Sequence, residues 1–62
     1  MTRKDFTMIA NVLKRNHEAH KSSGDEVKAF LVEEMAVDFA HSLLETNPRF
    51  NMSLFLKAAL AQ

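Results

Sequence analysis

The chain contains no cysteine, no tryptophan and no tyrosine, and it has a single glycine and a single proline. Without cysteine there can be no disulfide, no zinc–thiolate centre and no thiol nucleophile. With Gly24 as its one glycine, the chain has no glycine-rich loop to cradle a phosphate. No run approaches the roughly 18 consecutive apolar residues that a membrane span needs. The opening MTRKDFTMIANVLKRN mixes basic and apolar residues at helical spacing. A signal peptide needs a continuous apolar block, so none is expected here and the expected compartment is the cytoplasm. No cofactor is implied by any motif, and no membrane partner is expected.

What is present is helical. Sixty-two residues make one domain, residues 1–62, and a chain this short buries only about 60% of the surface its unfolded form exposes. Without disulfide or metal, it must rely on helix packing, a partner, or both.

Formal charge is zero, yet the charges are segregated. Residues 1–21 hold Arg3, Lys4, Lys14, Arg15 and Lys21 against Asp5 and Glu18. Residues 25–45 hold Asp25, Glu26, Glu33, Glu34, Asp38 and Glu45 against Lys28 alone. Halves of opposite sign attract each other, within one molecule or between two.

Start and stop signals predict three helices, over about 3–21, 24–45 and 52–60. Thr2 with Asp5 three residues on fits a capping box, and Phe6, Ile9, Ala10 and Leu13 recur at spacings of three and four. The same stripe continues through His17 and His20 to the breaker Lys21-Ser22-Ser23-Gly24. Ser23 with Glu26 repeats the capping pattern for the second helix, which Pro48 ends by disfavouring helical backbone at Asn47. Asn51 suits the N-cap of the third helix, and Phe50 before it is placed to staple onto Phe55. Fraying is expected over Ala61 and Gln62.

The second helix carries the most information. Val32, Met35, Ala36, Phe39 and Leu43 share one face, while Phe30, Val37 and Leu44 follow heptad spacing on a neighbouring one. Only Glu34, Asp38, His41 and Glu45 form a polar strip. An apolar arc this broad exceeds what a surface helix needs, which makes this the central helix. Phe30, Val37 and Leu44 are the candidate protein interface, through which self-association to a homodimer is expected. The plainer alternative is that the third helix docks on that stripe and completes a monomer.

The two ends resemble a family of small phage- and prophage-encoded proteins of unassigned function. The resemblance rests on Met1 to Phe6, Ile9-Ala10, Asn47-Pro48-Arg49-Phe50 and Phe55-Leu56, and covers about half the chain. Members typically open with MTRKD followed by Tyr or Phe, and close on NPRFD and a later RFL. Here Asn51 replaces the usual Asp, which keeps a cap but loses its charge. The cysteine that many members carry near the C-terminus is missing. The resemblance implies a phage origin and no particular activity.

Other chemistry weighs less. His17 and His20 sit three apart, a spacing that can offer two imidazoles to one metal. The sequence supplies no obvious third ligand, and the plainer reading is that they close the apolar stripe, so no metal is expected. Glu34, Asp38, His41 and Glu45 share a face on which acid–base pairs can occur, but without pocket or nucleophile a solvated strip is the simpler reading, and no enzyme activity is expected. On the first helix, Lys4, Asn11, Lys14 and Arg15, with Thr7, form a basic face of the kind that positions on phosphates. Zero net charge argues against a nucleic-acid binder. The leading expectation is therefore a non-enzymatic phage-type protein that binds and modulates a host or phage protein. A DNA-binding regulator using helix one stands second.

Overall fold

The computed structural model describes residues 2–60, which form three α-helices: α1 (Arg3–Ser22), α2 (Glu26–Thr46) and α3 (Met52–Leu60). There is no strand among the described residues. The expected fraying over Ala61 and Gln62 lies outside them.

Each helix end has a local cause. At the start of α1 the Asp5 carboxylate reaches back, accepting from the Thr2 amide at 2.8 Å and the Thr2 hydroxyl at 3.2 Å. These bonds hold the Asp5 carboxyl below the usual aspartate range, the amide bond being the larger cause. The far end of α1 closes in a Schellman motif. The Asp25 amide donates to the His20 carbonyl at 2.8 Å and the Gly24 amide to the Lys21 carbonyl at 3.1 Å, while Gly24 sits at φ 79° in the left-handed region.

This closure moves the start of α2. The sequence places it at residue 24 behind a Ser23 cap, but the left-handed Gly24 cannot begin a right-handed helix. Ser23 instead belongs to α1, its hydroxyl donating to the His20 carbonyl at 3.0 Å. Asp25 takes the cap and accepts from the Lys28 amide at 3.0 Å, and α2 begins at Glu26.

Asn47 then leaves the helix in extended backbone (φ −143°), as the residue before a proline tends to do. Its side chain accepts from the Arg49 amide at 3.2 Å and its carbonyl from the Phe50 amide at 2.9 Å. Asn51 caps α3 through the Leu54 amide at 3.0 Å. The predicted staple is present: the rings of Phe50 and Phe55 lie 5.4 Å apart between centroids, inclined at 59°.

All three helices pack on one another, with α1 sharing the more extensive contact with each of its neighbours. The core joins Ala10, Leu13, Val32, Ala36, Ala40, Phe50, Phe55 and Ala59. Its innermost members are small. The described residues exposed by 2% or less are all alanines (Ala10, Ala29, Ala36, Ala40 and Ala59). On α2, Ala29, Ala36 and Ala40 let the helix axes approach closely, and Val32 is the one larger residue buried there.

That choice corrects the expected core face of α2. Met35 and Phe39 share the arc with Val32 and Ala36 in sequence, yet they stand 53% and 40% exposed. The alanine strip takes the centre of the contact and turns the longer side chains to its flank. Leu44 goes the other way: it packs against the core, which removes it from the stripe offered to a partner.

Candidate functional site

Two apolar surfaces flank the alanine strip of α2. On one side stand Phe30, 57% exposed, and Val37, 40% exposed. At 100° per residue, Glu26 and Glu34 adjoin them on the same side of the helix, so this surface is apolar within an acidic surround. Of the three residues expected as a protein interface, Phe30 and Val37 are open to a partner, while Leu44 is committed to the core.

On the other side α1 and α2 enclose an open groove of about 470 Å³. Ile9, Leu13 and Val32 lie deepest in it, and Met8, Val12, Met35 and Phe39 form its walls. Leu31, half exposed, continues the apolar surface beyond Met35. No residue of α3 lines this groove. Sequence patterning missed it because its two walls come from different helices. Met8 and Val12 on α1, one flank away from the Phe6–Leu13 stripe, and the broad apolar arc of α2 with Met35 and Phe39 are its traces in the sequence.

A second open depression, about 490 Å³, lies between α1 and the turn before α3. Phe6, Phe50 and Leu54 line it, with Arg3 and Arg49 at its margins. The Arg49 of the Asn-Pro-Arg-Phe segment is therefore exposed beside apolar surface, while Phe50 of the same segment is buried.

The histidine pair is split in its roles. His17 Nε2 lies 2.9 Å from Glu33 Oε2 across the α1–α2 interface, and the His17 side chain is only 12% exposed. The sequence does not reveal this partner, because contacts between helices follow packing and not spacing along the chain. His20 lines the apolar groove instead. Among the described residues, no three histidine, cysteine or acidic side chains come together as a metal site would require.

Lys4, Asn11, Lys14 and Arg15 are all exposed on the outer side of α1, as is Thr7. The polar strip of Glu34, Asp38, His41 and Glu45 is exposed on α2. Among the described residues, Glu33 meets the His17 imidazole and Lys28 pairs with Asp25 three residues before it. No lysine or arginine of α1 thus meets an acidic side chain of α2 among the described residues. No helix among the described residues is long and apolar enough to cross a membrane. The chain matches no protein-family model, no curated protein and no solved structure, so the surface itself carries the functional argument.

Proposed function

We propose that this is a non-enzymatic interaction protein of phage type, which binds and modulates a host or phage protein and acts as a homodimer in the cytoplasm of the host cell. One observation carries the reading. A chain of 62 residues leaves Met8 on α1, Val27, Phe30, Leu31 and Met35 on α2, and Leu54 on α3 at least half exposed. Exposed apolar patches such as Phe30 with Val37, and the α1–α2 groove, mark sites of association in small soluble domains. The resemblance of both chain ends to small prophage proteins supports the origin.

Phe30 and Val37 are the residues assigned to the partner protein. Their acidic surround would steer encounter with a basic surface. The test is affinity capture from bacterial lysate with the wild-type chain and with Phe30→Glu/Val37→Glu. A protein retained by the wild type and lost with the variant, which should keep its helical circular dichroism, is the expected result. Equal capture by both removes Phe30 and Val37 from the interface.

The exposed basic face of α1 favours a second reading, a small DNA-binding regulator using Lys4, Asn11, Lys14 and Arg15. Phosphate contacts would make duplex binding fall steeply between about 50 and 200 mM salt. Binding of a labelled duplex that is insensitive to salt, or absent at 50 mM, excludes it.

A further inference from the structure

The groove between α1 and α2 has chemistry that selects its own occupant. Its floor and walls are apolar apart from Asn16 and His20, and its two outer margins carry charges of opposite sign. The α1 margin bears Lys4 and Arg15, and the α2 margin, next to Met35, bears Asp38, all exposed. None of the three makes an ion pair within the protomer among the described residues.

The His17–Glu33 contact fixes how these margins align. The helices run antiparallel, so stepping back along α1 from His17 matches stepping forward along α2 from Glu33. By that count Arg15 lies at the height of Met35, within one helical turn of Asp38. We propose that a second copy of this chain seats on the groove, with α1 of each copy lying antiparallel across α2 of the other in a two-fold symmetric four-helix layer pair. This deepens the self-association in the preceding reading by assigning its surface and register, and it uses a different face from Phe30 and Val37.

A two-fold axis parallel to the helices preserves height. It therefore sets Arg15 of one copy within a helical turn of Asp38 of the other, at both margins at once. The alternative two-fold axis, across the helices, stacks α1 on α1 and brings like charges together, which is destabilising. Beneath these margins Met8 and Val12 of one copy would meet Met35 and Phe39 of the other. The two long dimensions of the molecule, 36 and 18 Å, give a face of the order of the ~800 Å² per partner that stable interfaces bury. The protomer also has something to gain, since none of its large side chains is fully buried among the described residues.

The test is sedimentation equilibrium of the full chain over a concentration series, at low and high salt. The wild type should dimerise. Met35→Glu enters a symmetric interface twice, and at tenfold per 1.4 kcal/mol its Kd should rise about 100-fold. Arg15→Asp should raise Kd by roughly three- to tenfold, as expected of marginal ion pairs that become repulsive. The exchange Arg15→Asp/Asp38→Arg should recover most of that loss. Both charged positions are exposed, so these variants should stay folded even if Met35→Glu does not. A wild-type chain that is monomeric at several hundred micromolar overturns the proposal and leaves the groove to another partner. So does a dimer whose charge exchange fails to recover affinity. Capture of a lysate protein through Phe30 and Val37 would survive either result, so failure of the dimer is separable from failure of the interaction reading.

Discussion

The rings of Phe6 and Phe50 meet with their centroids 5.0 Å apart, inclined at 58°. Phe50 lies in the short turn before α3, so this contact ties the start of α1 to that turn. Because Phe50 also stacks against Phe55, one ring holds three segments together.

Phe50→Ala is therefore the most damaging single truncation we expect. Loss of a buried phenylalanine costs about 3–5 kcal/mol, while a domain of this length has only about 3–9 kcal/mol in all. Urea unfolding followed by circular dichroism should show the variant largely unfolded before denaturant is added. A midpoint close to wild type would mean that the ring does not organise the turn.

Gly24→Ala should destabilise without any steric clash. A Cβ built on Gly24 meets nothing within 4 Å, so the cost is that of left-handed backbone, about 1–2 kcal/mol. Gly24→Asn should lose less, because asparagine visits that region more readily. Equal or greater stability of the alanine variant would contradict the Schellman closure.

Ala36 is completely buried at the centre of the small-residue strip. Ala36→Leu should cost about 1–3 kcal/mol by forcing the helices apart, whereas Ala36→Gly should mainly carry the helix-propensity penalty of about 1 kcal/mol. If leucine is accommodated without loss of the thermal midpoint, α2 does not approach its neighbours as closely as the alanines indicate.

The Asp5 carboxylate should contribute to stability in a pH-dependent way. Its folded pKa is depressed by the Thr2 amide and then by the Thr2 hydroxyl. Its contribution is thus complete above the ordinary aspartate range and lost as pH falls through the depressed value. Asp5→Ala should be less stable than wild type near neutrality, and the two thermal midpoints should converge in acid. A difference that persists unchanged at pH 2 would assign the effect to something other than ionisation.

Helix ends were legible in the sequence because capping acts over three or four residues. Thr2–Asp5, Asn51 and the Phe50–Phe55 staple could be named from spacing alone. The start of α2 was not, because Ser23 and Asp25 both suit a cap and Gly24 decides between them by its backbone sign. Which apolar residues of α2 go inside was also hidden. Its pattern spans a wider arc than one neighbour covers, and side-chain size selects Ala36 and Ala40 over Met35 and Phe39. The groove and the His17–Glu33 contact depend on two helices at once, so neither could be read along a single one.

α3 has nine residues against twenty and twenty-one in α1 and α2. At about 1.5 Å per residue it can shield less than half the length of the hairpin it rests on. One end of the molecule is accordingly three helices thick and the other only two, and Ala29 at the thinner end is buried outside the main core. Local opening needs least energy where fewest apolar contacts must be released. The protein should breathe from the Gly24 end inward, exchanging its amide hydrogens around His20 and Ala29 well before those around Ala10 and Ala40.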